Sequence, residues 1–536
     1  MKNKRILTGL SVLFFLAAFA IVQYYIWGSA FITEYQADCT DTLFWAQSSL
    51  ESGKLFKPEF DYAYRLAFGG QWLFMPFLKI FGVGMNALRC GMCLFSILFS
   101  IVLLFFFRSL YCPQPVTFIG SALMLLAMCA VKKTREIFFG HVIHYSLAVF
   151  YLLWAFVFLR SFLDADSRRK RIVSGGLFLL VLFMCSANGT VQMLFVTVPL
   201  MAGCLLELYL GRDRKVFGLI ICIAAAAGAG FLFSRTLNTN YSDSYSVIVP
   251  SEDWSANLQL FPLRWISLFY ALPEKNLDAF SGQWIKTVFK SVAALMMLFG
   301  MVLSVFHYKK LRHPEERIFL FTTWAMFGAF LLFFTLGKIS DVSWRMLPMV
   351  FSAEVTILIL FSRAVGDPAE RTLSGFAVLL CGVVLAAHCL SNGLSVLRIP
   401  YDRKIWFAED GLLETLKAHD LDYGYITNYW LSNSLTVLSD DTIRVRAVSW
   451  DGDHPYLYLF NSDLEWYKDQ PGRDRWFLVL RGSQYDPDMP LAAEASEVYT
   501  CFQEDTKNMT SDNYVILVLD RNIMQEDYEN LLPRYQ

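Results

Sequence analysis

About eleven stretches of this chain are apolar for close to the 20 residues that a helix needs to cross a bilayer, and no water-soluble fold could bury them all. They fall at 6–27, 92–107, 116–131, 138–159, 172–187, 191–209, 216–233, 285–306, 318–336, 346–361 and 373–390. A lipid-exposed backbone must satisfy its own hydrogen bonds, so these segments predict a polytopic α-helical membrane protein. Composition agrees: 56% of the 536 residues are hydrophobic and 17% are charged. The net charge of −1 and the dispersed Lys and Arg give no footprint for nucleic acid. Met1-Lys-Asn-Lys-Arg5 followed by an apolar run could open a secretory signal, with Ala18-Phe19-Ala20 as a cleavage site. The run continues to Trp27, about twice the length of a signal core, so it reads as an uncleaved first span.

Basic residues set the orientation. Arg108, the 160–171 loop with its Ser-Arg-Arg-Lys-Arg core, 212–215, 309–317 and 363–371 all fall on alternate loops. The positive-inside bias then puts the N-terminus in the cytoplasm and the C-terminal segment outside a plasma membrane. The expected organisation is a membrane module over 1–390, with long outer loops at 28–90 and 235–284, and an extracytoplasmic α/β domain over 391–536. In that tail 411–420 and 456–470 read as helices. The runs 423–427, 435–438, 443–450, 476–481 and 514–520 read as strands, and Asp440-Asp441 as a strand-to-strand turn.

In the first outer loop Asp41 opens an amphipathic helical pattern ending at Gly53, and 71–81 forms a second; both suit helices lying along the membrane surface. Tyr241, Tyr245, Trp254, Trp265 and Trp284 in the second loop read as an interfacial aromatic belt. Most of the eleven cysteines lie inside spans as small hydrophobes. Cys39 and Cys501 lie in outer segments, either as two separate thiols or as a bridge between loop and tail. Phosphate-binding glycine loops, GxSxG, HExxH and paired CxxC motifs are absent.

The order of a first span, an acidic pair Asp38 and Asp41, a helix ending in Ser-Gly-Lys-Leu, the aromatic-rich PEFDYAYRLAFGGQWLFMPFLKIFG, many spans and an outer tail resembles the GT-C class of integral membrane glycosyltransferases. The resemblance in layout runs over nearly the full length and is most specific across 38–84. The tail LDYGYITNYWLSNSLTVLSDDTIRVRAVSW also resembles tails of bacterial members of the class. Membership implies a polyprenyl-phosphate-linked sugar as donor, membrane lipids around it, and an envelope glycan, lipid or protein as acceptor, with an acidic residue of the first outer loop as base. Such an inverting transfer needs one carboxylate to take the acceptor's proton, and cations to neutralise the leaving phosphate. A divalent ion such as Mg or Mn is compatible with the second role and is not required by it.

Asp41 matches the acidic position best because it directly precedes the helix, with Asp38 one turn earlier as the second candidate. Helix capping is the competing role for Asp41, and capping or solvation for Asp38. The resemblance also makes Arg345, in Ser343-Trp-Arg-Met-Leu-Pro348, the leading phosphate clamp, although Met346 replaces the aromatic residue expected after it. Lys338 is a weaker candidate, with Asp341 as an ion-pair partner for either. Lys132, Lys133 and Arg135 stand on the expected outer side against the charge bias, either snorkelling or binding the carrier phosphate. Glu136 lies beside them, and His141 and His144 share a helical face, either as neutral core residues or as acceptor or metal contacts. A transporter or lipid flippase is the alternative; it would show charges deep in the spans and an internal repeat. The spans show few such charges, Glu207 and Glu354 being the exceptions, and no repeat is visible.

Overall fold

The computed structural model describes residues 2–211, 215–237, 240–241, 248–272, 276–337, 342–366, 372–401, 403–452, 454–501 and 513–534. Among these residues ten helices are long and apolar enough to cross a membrane: Lys4–Trp27, Met85–Ser109, His144–Leu163, Arg168–Ala187, Thr190–Leu210, Val216–Thr236, Gly282–Lys310, Pro314–Leu336, Ser343–Gly366 and Leu373–Val396. The segment expected at 116–131 is a bent pair of helices, the geometry of a broken span or a re-entrant loop. Gln114–Ala127 ends early and Lys132–Gly140 follows at an angle of 118°. The second piece closes with a π-helical turn, Glu136–Gly140, a widened winding that is frequent at functional sites. The break explains the charged run at 132–136: it lies where the helix stops and turns.

The loops expected to be cytoplasmic do share one face. Arg160 bonds Asp164 at 3.0 Å, Tyr111 bonds the same carboxylate and stacks on His313 at 3.5 Å, and Arg363 reaches Glu316 and the Leu110 carbonyl. Glu207 belongs to this face as well, paired with Arg317 at 2.6 Å, so it is an ion pair at a span end rather than an isolated charge in the membrane.

The opposite face carries the first loop and the C-terminal domain. Helices Asp41–Ser52 and Gln71–Phe81 form where the apolar periodicity places them. Gln71–Phe81 leaves Trp72, Ile80 and Phe81 exposed, as suits a helix in the interface. Asp41–Ser52 does not lie on a surface: Leu43, Phe44, Trp45 and Ala46 are all buried, because the C-terminal domain covers the side turned away from the membrane module. In the second loop Trp265 is fully buried and donates to the Ala294 carbonyl at 2.9 Å, so it is a core residue and not part of an aromatic belt. The side chains of Tyr241 and Tyr245 lie outside the described residues.

Two short strands, β1 (Phe60–Tyr62) and β2 (Asn240–Tyr241), join the two outer loops in parallel. The C-terminal domain begins with helix Arg403–Ala418 and holds β3 (Tyr423–Ile426), β4 (Arg444–Trp450), β5 (Pro455–Leu457), β6 (Ser462–Asp463), β7 (Trp476–Arg481), β8 (Glu497–Cys501) and β9 (Tyr514–Leu519). Six of these make one mixed sheet in the order β5-β4-β3-β7-β9-β8, parallel where β3 meets β4 and β7. One sheet face packs Tyr425, Tyr467 and Trp476, and the other packs Leu412, Leu416 and Leu435. Both faces are covered, which accounts for the unbroken apolar runs of β7 and β9.

The sequence expectations for the tail need three corrections. The run 435–438 is the end of helix Tyr429–Leu438, not a strand, so Asp440 and Asp441 make a helix-to-strand turn with positive φ of 51° and 62°. The run 456–470 is not a helix but β5, β6 and a 3-10 turn. Its apolar residues are split between packing on the sheet and packing on the first loop, which imitates helical spacing. Strand β8 is an edge strand of alternating polarity, too weak to read from sequence. Cys39 and Cys501 are both free thiols, the first beside Gly140 and the second beside Gly411.

Candidate active site

A 3-10 turn, Ala37–Thr40, runs directly into helix Asp41–Ser52. Residues three apart across such a junction share a face, so Asp38 and Asp41 point into the same region. Their exposure differs. Asp41 is 3% exposed, whereas 23% of the Asp38 side chain is open. No side chain caps the start of the helix, and the Asp41 carboxylate instead accepts from the amide of Asn461. Capping is therefore not the task of Asp41.

Asn461 comes from the connection between β5 and β6 and stands at φ 55°, the left-handed region that Asn tolerates better than most residues. Its amide nitrogen serves Asp41 while its carbonyl accepts from Trp45 Nε1 at 2.5 Å, so both ends of the side chain are committed to the first loop. The connection is fastened by β1–β6 pairing, with Asp61 opposite Ser462, and by Lys57 on Asp463 at 2.6 Å. Above the carboxylates stand Tyr429 and Tyr458, rings 5.3 Å apart. Burial, then the charges of Asp38 and Asp41, hold both phenols above their usual range, so they stay protonated and able to donate.

The bent helix pair supplies the cationic wall. Lys133 Nζ lies 3.5 Å from Asp38, bonds Glu136, and sits 4.7 Å over the Trp344 ring. Trp344 and Arg345 share the 3-10 turn Ser343–Met346, so this contact ties the late span to the acidic pair. His141 Nε2 is 3.4 Å from Glu136. His144 packs edge-on against Tyr64 at 4.4 Å, at the start of the next span. The structure thus gathers Asp38, Asp41, Lys133, Glu136, His141, His144 and Arg345 around one region.

Two other candidates turn away. Arg135 forms a buried bidentate pair with Glu34, which also accepts from Tyr25, and its remaining nitrogen reaches the Cys129 carbonyl. Lys132 faces a separate cavity. Lys338 and Asp341 lie outside the described residues. Among the described residues no three His, Cys, Asp or Glu side chains converge as a metal site, and His141, His144 and Glu136 do not form one.

Asn461, Tyr429, Tyr458 and Trp344 are absent from the sequence candidates. The turn-favouring Asn461, inside a run read as helical, is the one local signal for it.

Burial, then the charges of Asp38 and Glu136, push the Asp41 carboxyl well above its usual range. The native chain therefore holds a proton that the unfolded chain releases near pH ~4. Between that pH and the raised native value, stability falls as pH rises. Asp41→Asn keeps an acceptor for Asn461 and removes the cost of ionisation. Thermal unfolding in detergent is expected to show the variant more stable than wild type at neutral pH, with the gap closing below about pH 4. A gap independent of pH would contradict this account.

The arrangement of spans, bent charged segment, first-loop helices and capping α/β domain defines a polytopic membrane protein of the GT-C fold. The solved structure that carries the likeness is ArnT from Cupriavidus metallidurans, a GT-C glycosyltransferase, bound to undecaprenyl phosphate. It aligns at a TM-score of 0.52 and 11% identity over 95% of this chain and 98% of that one. The apo state of the same protein aligns at 0.49 with the same identity and coverage. At that identity the likeness concerns the fold. No family model matches the chain, and no curated protein matches it by sequence.

Proposed function

We propose that this protein is an inverting membrane glycosyltransferase that moves a sugar, of hexosyl type, from a polyprenyl-phosphate carrier to an envelope glycan, lipid or protein on the extracytoplasmic face. The observation that carries the reading is the meeting of two carboxylates with Lys133 and the Trp344–Arg345 turn in a fold shared with ArnT, whose complex holds undecaprenyl phosphate. The alternation of basic loops supports the orientation, with the N-terminus cytoplasmic and the C-terminal domain outside.

In this reading the acceptor hydroxyl oxygen attacks the anomeric carbon while a carboxylate takes its proton. The bond from that carbon to the carrier phosphate oxygen breaks, and the electron pair leaves with the phosphate. The sequence ranks Asp41 first as base, but exposure favours Asp38. Burial raises both carboxyls, and Lys133, 3.5 Å from Asp38, opposes the rise at each. When two carboxyls share a site one keeps its proton, and the buried Asp41 is the better holder. Asp41 with Asn461 then positions the turn that carries Asp38. Arg345 and Lys133 take up charge on the leaving phosphate, and the protonated Tyr429 and Tyr458 offer donors to sugar hydroxyls.

The test uses native membranes charged with a polyprenyl-phosphate sugar labelled in the sugar. Label is expected to leave the carrier lipid for another species, leaving free carrier phosphate. Movement of intact labelled carrier between leaflets, with no label leaving it, would establish a flippase instead.

A further inference from the structure

A charged cavity lies against the Lys132–Arg135 segment, and none of the proposed transfer chemistry uses it. It has a volume of about 700 Å³. Five cations line it: Arg135, Lys132, Lys286 and Lys290 from two span ends, and Arg398 just beyond the last span. The single carboxylate in the wall is Glu34, already taken by Arg135 and Tyr25. Among the described residues none of the other four cations, Lys132, Lys286, Lys290 and Arg398, has an acidic partner within ion-pair distance.

Lys290 is the most telling of them. It is 1% exposed, and its ammonium bonds only the neutral carbonyl of Asn392, whose amide in turn meets His388 at 3.0 Å. A desolvated amine that bonds only a neutral carbonyl leaves room for an anionic partner, which would favour its charged form. The hydrogen-bond chain through Asn392 fixes the ammonium at the cavity wall. Lys286 stands one turn nearer the helix end, 5.3 Å over the Tyr270 ring. The rim continues onto Leu390 and Leu394, both exposed on the last span, where acyl chains would run.

We infer that this cavity binds a phosphate group, carried by an anionic membrane lipid whose headgroup enters among Lys132, Lys286, Lys290 and Arg398 and whose tails lie along Leu390 and Leu394. Basic pockets between span ends recognise such headgroups by charge. The site is distinct from the acidic one because neighbouring residues diverge: Lys133 goes to Asp38 and Trp344, and Lys132 to this cavity. The inference does not depend on the transferase reading; it requires only that these span ends meet the membrane.

The experiment measures retention of phosphatidylglycerol and phosphatidylcholine by the purified full chain, using native mass spectrometry after delipidation. Phosphatidylglycerol is expected to bind on the order of tenfold more tightly than phosphatidylcholine. Lys286→Ala with Arg398→Ala, both at the rim, should weaken it by a similar factor. Lys290→Met is a second variant that should abolish the preference. Inorganic phosphate distinguishes the sources. Displacement of the lipid by phosphate alone supports recognition of the headgroup only, and retention against phosphate supports the added contribution of the acyl chains. Equal affinity for the two lipids, or unchanged retention in the rim double variant with the fold intact by thermal unfolding, would overturn the inference.

Discussion

Asp38→Asn is expected to lower the rate of sugar transfer from the labelled carrier by about 10²- to 10⁴-fold, the range that a positioned general base contributes. The substitution keeps the size of the side chain and its ability to accept from Lys133. Lost activity would then follow from lost basicity and not from a collapsed site. Donor binding should persist, because the phosphate is held by Arg345 and Lys133, so the loss should appear in kcat with KM for the carrier lipid little changed. Asp41→Asn provides the contrast. If the buried carboxyl keeps its proton, an amide in its place costs less than the same change at Asp38. If Asp41 is the base, as its position before the helix suggests from sequence, the order of the two losses reverses. Full activity in both variants would sink the carboxylate mechanism altogether.

The membrane architecture was legible because bilayer crossing is a local property. A run of about 20 apolar residues declares itself without reference to any other part of the chain. The first-loop helices were legible for the same reason, since Asp41 and Gly53 mark a start and a stop and apolar residues recur between them. The break after Ala127 was not legible in the hydropathy alone, because the apolar run crosses it; the signal was the charge at Lys132, Lys133, Arg135 and Glu136. What sits over the site was hidden altogether. Asn461 and Asp41 are separated by 420 residues, and nothing near either residue announces the other. The same holds for Trp344 and Lys133, which meet only because the late span returns beside the bent pair. The pairing of Arg135 with Glu34 is equally non-local and withdraws a cation that the sequence offered to the phosphate. Local pattern thus revealed the elements and their chemistry, while tertiary contacts decided which charges face the same space.

That division bears most directly on Arg345. It stands in a 3-10 turn at the entrance to a largely buried helix, so its backbone is fixed by the packing of Met346, Leu347 and Val350 rather than by a flexible loop. Trp344 holds the turn that carries Arg345 against Lys133. A fixed guanidinium can take the developing phosphate charge in a bidentate manner, which a single ammonium cannot reproduce. Arg345→Ala is therefore expected to reduce transfer by about 10²- to 10³-fold, as removal of one preorganised oxyanion donor does. Arg345→Lys should recover part of this, because charge returns without the fork. The loss should fall on both kcat and the KM for carrier lipid, since the phosphate is present in the ground state and gains charge as the sugar leaves. Photocrosslinking with a carrier-lipid analogue should decline in parallel. Unchanged crosslinking and transfer in Arg345→Ala would assign the phosphate to another cation and leave Arg345 as an anchor at the headgroup boundary.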